Sequence, residues 1–378
     1  MGLKRGHRAK PFEWIAEKVI FLVSLLAILM IFLIFVFIGR EAVPLLFGKV
    51  NTAVVGKVIS PSKMDELSPV ELRAYLGLTR KQQEEMDRDT LKILMELKAE
   101  TASQHAGHPD AHINTASWSH LLGAHQWEGY SKPEYIWQPV SDIPKFNIVP
   151  LIVGSLKVTI VALLFAVPLA LAAAIYVSQL ARPRVREIVK PVIEMLAGIP
   201  SVVLGFFALI LMATALQTVF GYDSRLNALC AGLALGFSVI PVVFSIAEDA
   251  LTSVPRSFTQ AALALGASQW KAAWQVVLPA ALPGVFAAVA LGFGRAVGET
   301  MVVLMASGNA SIMSWSLFDS TRTITATIAA ELGEVVFGSA HYRMLFLIGV
   351  LLFAVTFLTN FVADVVMHRL KAGLEGRR

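Results

Sequence analysis

In a chain of 378 residues, 56% are hydrophobic and only 16% charged, against about a quarter charged in soluble domains. That balance excludes an ordinary soluble enzyme, and the net charge of +5 is too small and scattered to imply a nucleic-acid partner. One cysteine, Cys230, inside an apolar run, rules out an intramolecular disulfide and a cysteine-based metal site.

Lys4, Arg5, Arg8, Lys10 and Lys18 precede an apolar run from Val19 to Gly39, which reads as a retained first membrane helix closing a unit at 1–39. A secretory signal would have a shorter core and a small-residue cleavage site. Residues 40–147 then form a long external segment. Ser68-Pro69-Val70-Glu71 carries a capping box with proline at the first helical position, and Thr79-Arg80-Lys81-Gln82 repeats the box before a charged helical run to Glu100. From Thr101 to Lys132 no periodicity is visible. Five of the eight histidines lie between His105 and His125, with Asp110 among them. Imidazole and carboxylate are metal donors, but proline and glycine interrupt the stretch, and a solvated loop without metal is the expectation.

Five more spans follow: Val149 to Ser178 with Pro168 as a kink, Val192 to Phe220 with Pro200 inside it, Leu226 to Ala247, Ala280 to Ala306, and Met344 to Met367. The expected fold class is therefore all-α and polytopic, with six transmembrane helices, a five-helix core over 148–368 and a tail over 369–378. Lys157, about eight residues into the second span, is expected to snorkel to the interface. With the N-terminus inside, fifteen basic residues flank the inner ends of the spans, while the two short outer loops hold only Arg225, Arg322 and Arg343. The positive-inside rule thus puts both termini and the 248–279 loop in the cytoplasm.

That loop is too polar to enter a bilayer. Ser257 and Gln260 have the spacing of a capping box, and Ala261, Ala262, Leu265 and Gly266 share one face of a short helix. Gly266 permits a turn, Trp270 and Trp274 sit at i and i+4, and Leu278-Pro279 is expected to end the second helix.

In the fifth span, Arg295 lies about 22 Å along the helix, deep in hydrocarbon, with Glu299 four residues on. A structural ion pair is one reading. A pathway residue is the preferred one, because a buried guanidinium needs a partner or a wet path and its planar fork suits a phosphate oxyanion. Thr300 and Asn309 are further candidates for the path. No phosphate-cradling G-x-x-x-x-G-K-[ST] sequence and no catalytic constellation is evident, so neither a cofactor nor an enzymatic role is expected.

The pattern Gln260-Ala261-Ala262-Leu263-Ala264-Leu265-Gly266, followed by Val276-Val277-Leu278-Pro279, resembles the cytoplasmic loop by which ABC import permeases engage their ATP-hydrolysing subunit. Gln260 stands where that family has Glu. GFGRAVGETMVVLMASGN, WQPVSDIPKFNIVPLIVGSLKVT and EMLAGIPSVVLG are similar to phosphate permeases of the PstC type. The likeness spans roughly Trp137 to His368. It implies the type I ABC import permease fold in a bacterial inner membrane. It also implies assembly with a second homologous permease, two ATP-binding subunits and an external phosphate-binding protein, with phosphate as cargo and membrane lipid around the spans. The Arg and Glu matching Arg295 and Glu299 are implicated in transport in that family. A permease for sulfate, molybdate or phosphonate, or a membrane scaffold that moves nothing, stays open at this point.

Overall fold

In the computed structural model the described residues are 11–48, 50, 52–53, 64, 67–76, 78, 83–84, 86–104 and 109–374. Six helical stretches among them are long and apolar enough to cross a membrane.

The first, α1 (Pro11–Leu46), is 36 residues long, about 54 Å at 1.5 Å per residue, and most of its side chains face outward. Phe35 and Phe37 meet Phe353 and Phe346 of the last helix edge-on, with ring centroids 4.1 and 5.7 Å apart. Between α1 and the second span, α2 (Pro69–Leu76) starts with the expected box. The Ser68 N–H donates to Glu71 Oε2 at 2.9 Å, and the Glu71 N–H to Ser68 Oγ at 3.3 Å. Thr79 is also expected to open a box, but Thr79 to Gln82 lie outside the described residues. The next described helix, α3 (Arg88–Gln104), begins at Asp87, whose carboxylate accepts the Arg88 N–H.

The loop expected over 101–132 carries short ordered elements. A 3₁₀ turn (Pro109–His112) and α4 (Trp118–Leu122) lie there, and Trp127 is buried against Ala111 and Ile143. Strands β1 (Trp137–Gln138) and β2 (Lys145–Phe146) pair antiparallel, Trp137 opposite Phe146.

The membrane core is built on small residues. In α5 (Val149–Ile175), Ala162, Ala166, Ala170 and Ala174 repeat at i+4 and are fully buried, many of them against α9 (Ala228–Thr252). A Cβ on Gly232 of α9 would stand 2.5 Å from Val161, so only glycine lets the two backbones come this close. α5 passes through Pro168 and ends in a π turn, Tyr176–Leu180.

The third span differs from the expected one. Residues Pro183–Leu196 form a separate amphipathic helix, α6, and the span itself is Ser201–Phe220: α7 (Ser201–Phe207), a π turn (Ala208–Met212) and α8 (Ala213–Phe220). Pro200 is the N-cap of α7 rather than a kink inside a helix. The reason is steric, because the residue before a proline is pushed out of helical conformation. α9 is capped by Asn227, which accepts the Cys230 N–H at 2.9 Å, and runs to Thr252. Glu248 and Asp249 are therefore helical, and the loop begins at 253 instead of 248.

After α10 (Arg256–Ala264) and α11 (Gln269–Ala272), a π turn (Ala273–Val277) leads into α12 (Leu278–Gly298). Leu278-Pro279 does not end a helix. Proline sits in the first turn of α12, where a missing N–H is tolerated. The fifth span breaks at Glu299 and Thr300 before α13 (Met301–Ala306). Residues 307–323 fold back onto α5 and lead to α14 (Ile324–Glu331), which the sequence pattern did not indicate; α15 (Ala340–Leu374) completes the set.

Candidate functional site

Arg295 occupies the last turn of α12, and its Nε–H donates to the Ser238 carbonyl in the middle of α9 at 3.2 Å. Pro241 lacks the N–H that would bond the Phe237 carbonyl, so α9 is locally loosened beside the Ser238 carbonyl that Arg295 uses. No carboxylate among the described residues lies within ion-pair distance of Arg295, and its two terminal nitrogens have no acceptor there. Arg295 as a residue is exposed in the isolated chain.

Arg295 and Glu299 do not share a helix face as the i, i+4 spacing suggested. The helix stops at Gly298, Glu299 is extended (φ −71°, ψ 135°), and its Oε1 accepts the Thr300 N–H at 3.2 Å. The Glu299 carbonyl accepts the Thr325 hydroxyl at 2.8 Å, which ties the break to α14. Thr300 Oγ1 donates to the Gly298 carbonyl at 3.4 Å. Three of the four candidates thus cluster at a discontinuity in a membrane helix, a form tolerated where backbone is buried in protein or lines a cavity. Asn309 lies apart from them, beyond α13. It adopts positive φ (52°), and its Nδ2 donates to the Leu304 carbonyl at 2.6 Å, capping that short helix.

Lys157 does not snorkel. It is 6% exposed, and its ammonium donates to the Ser316 carbonyl at 3.0 Å, because the 307–323 loop folds over α5 and brings an acceptor to it. The approach is close: a Cβ on Gly154 would lie 2.1 Å from the Arg322 carbonyl oxygen.

The 253–279 loop is a helix, a turn and a second helix. α10 starts after Pro255, so Ser257 falls inside the helix, and the expected Ser257–Gln260 box does not form. Gln260 and Ala261 face outward while Ala262 is buried. Gly266, at φ +85°, closes the helix in a Schellman turn: Ala267 N–H donates to Ala262 O at 3.1 Å and Gly266 N–H to Leu263 O at 2.9 Å. Ser268 Oγ accepts the Lys271 N–H and caps α11. Trp270 and Trp274 lie side by side, 5.7 Å between rings, both exposed, and Leu265 at the turn is 90% exposed. Leu278 and Pro279 lie in the first turn of α12.

Sequence reasoning missed the group that fixes this end of the molecule. Glu248 is fully buried and binds Arg186 Nη2 and Lys190 Nζ of α6, each at 2.6 Å, and the Thr252 hydroxyl at 3.0 Å. The hydrogen bond to Glu248 is the main reason the Lys190 ammonium holds its proton above the usual lysine range. The available signal was the i, i+4 pair of cations on one face of α6, which asks for a shared acid.

At the end of the bundle opposite the 253–268 loop, Glu331 joins Arg322 (2.9 Å), His341 (2.8 Å) and the Trp137 indole N–H (3.2 Å). Of the clustered histidines, His105 and His108 lie outside the described residues. His125 stands 3.6 Å from Asp110, and no group of three or more metal-ligating side chains forms among the described residues.

Residues 166–374 match the family described as binding-protein-dependent transport system inner membrane component. A probable ABC transporter permease protein, YqgH, of Bacillus subtilis is 36% identical over 222 residues, 59% of this chain and 72% of that protein. Phosphate transport system permease proteins PstC of Mesorhizobium japonicum and Pasteurella multocida are 34% and 32% identical, over 62% and 64% of this chain and 77% and 80% of theirs. With more than half its length matched and six apolar helices, the chain belongs to the binding-protein-dependent transport system inner membrane component family, as a multi-pass inner-membrane protein.

Proposed function

We propose that the chain is the permease subunit of an ATP-driven phosphate importer, forming the path with a second homologous permease and hydrolysing nothing itself. The observation that carries this reading is Arg295, a guanidinium within a membrane span that spends one N–H on a carbonyl and offers the rest of its fork to an anion. Phosphate-transport names among the relatives support phosphate over other oxyanions. Glu299, at the break, keeps the anion from binding too tightly to be released, and Thr300 and Asn309 border the same path.

Gln260, Ala261, Ala262, Gly266, Leu278 and Pro279 belong to the element that grips one of two separate ATP-binding subunits on the cytoplasmic side. Both termini share that side, and an external phosphate-binding protein delivers the cargo to residues 40–147 and the outer loops. In cells whose only phosphate route is this transporter, Arg295→Ala is expected to abolish labelled-phosphate uptake and Arg295→Lys to retain a fraction, since lysine keeps the charge and loses the fork. Unchanged uptake in Arg295→Ala would remove the assignment; growth rescued under limiting sulfate instead of limiting phosphate would change the cargo.

A further inference from the structure

We infer that α6 is a membrane-surface helix that binds anionic phospholipid on the side of the bilayer carrying the 253–268 loop. Its residues divide into two faces. The inner face sets Val189 and Ile193 against the core and delivers Arg186 and Lys190 to Glu248. Glu248 lies one turn before Thr252, the last residue of the fourth span, so the ion pairs hold α6 at the level where the bilayer ends.

The opposite face is apolar and uncovered. Ile188, Val192, Met195 and Ile199 follow one another at i, i+4, i+7 and i+11, with exposures of 66, 56, 73 and 39%. The stripe runs without a gap into the exposed face of the next span through Val202, Val203 and Phe206. A surface continuous with the wall of a membrane helix meets the solvent that wall meets, which is lipid. At the start of the stripe Arg182 and Arg184 are exposed and have no carboxylate partner among the described residues. An apolar stripe flanked by free guanidinium groups is the pattern of helices lying in the interfacial plane, with the cations set at the phosphate level. The complement to those two charges is an anionic headgroup.

Two measurements on the full-length chain in phosphatidylcholine vesicles with about 30% phosphatidylglycerol test this. A nitroxide on Met195→Cys, with buried Cys230 left in place as the unlabelled background, is expected to collide freely with oxygen and to be shielded from a water-soluble nickel chelate. Shielding from both would mean that a protein surface, such as a second permease subunit, covers the stripe, and access to nickel would mean water; either result overturns the inference. Photoreactive headgroup analogues then probe the arginines. The phosphatidylglycerol analogue is expected to label 182–196 more than the phosphatidylcholine analogue by about five-fold per arginine, and Arg182→Gln with Arg184→Gln to equalise the two. Equal labelling of the unsubstituted chain would remove the headgroup contact. Neither measurement requires transport, so the outcome is independent of the proposed cargo.

Discussion

Glu248 is a carboxylate without exposed surface that is stable as an anion only because two cations and a hydroxyl converge on it. Deleting an acid so placed leaves Arg186 without a carboxylate among the described residues and Lys190 with Asp249 at 3.4 Å, and the two cations keep 37% and 29% of their side-chain surface and can rehydrate. We expect Glu248→Gln to cost about 2 kcal/mol, below the 3–5 of a fully buried pair, read as a lowered thermal midpoint in detergent. Lys190 gives the pH dependence. Its proton is held above the ordinary value of 10.5, so its contribution is fully present below that value and disappears only as pH rises through the raised one. The stability gap between the unsubstituted chain and Lys190→Met should stay constant from about pH 6 to about pH 9 and close in stronger alkali. A gap that changed near neutrality would contradict the assignment. Gly154 works through shape instead. An alanine Cβ there would press on the Arg322 carbonyl oxygen at 2.1 Å and Thr321 Oγ1 at 2.7 Å. Gly154→Ala is expected to destabilise by about 1–3 kcal/mol and to loosen the 307–323 loop, which limited proteolysis would detect.

Among the elements, the α10–turn–α11 unit is well formed and sparsely buried, its helices ended by backbone and side-chain caps rather than by packing. Trp270, Trp274 and Leu265 project from it into solvent, an apolar surface that a soluble loop would not retain without a partner. Substituting both tryptophans by serine should change the chain's own stability by no more than about 0.5 kcal/mol per site. Loss of an aromatic anchor at an interface is worth about 2 kcal/mol, so affinity for the ATP-binding subunit we propose as partner should fall about thirty-fold in a pull-down titration. Equal affinity would place the grip elsewhere. The broken fifth span contrasts with this unit. Its ends are held from outside, by Thr325 on the Glu299 carbonyl and by Ser238 on Arg295.

At the scale of the molecule, the segment before α5 and the membrane core are joined through Glu331, which gathers Trp137 of β1, Arg322 of the 307–323 loop and His341 of α15. Glu331→Gln keeps the size and loses the charge. We expect amide exchange around β1 and β2 to accelerate at least about ten-fold while the spans keep their protection, since local opening is governed by the contacts that close each unit. Exchange unchanged at Trp137 and Phe146 would show that the aromatic packing alone holds the segment.

The sequence by itself determined the class, the number of spans, the turn at Gly266 and the cap at Ser68, because apolar runs, a glycine and a capping box act through neighbours a few residues away. The resemblance supplied the family. What only the tertiary structure decided were contacts made across long stretches of chain. Glu248 meets partners 58 and 62 residues distant, and Lys157 finds an acceptor 159 residues on. The break at Glu299 and Thr300 belongs here too, because local pattern read continuous helix and the Thr325 hydroxyl and Ser238 carbonyl of other helices hold the alternative; the separation of α6 from the third span, by contrast, follows from Pro200 itself. A side chain's periodicity says which face it lies on, but its charge or hydrogen-bonding group is satisfied only by whatever the fold brings opposite, and no local window contains that.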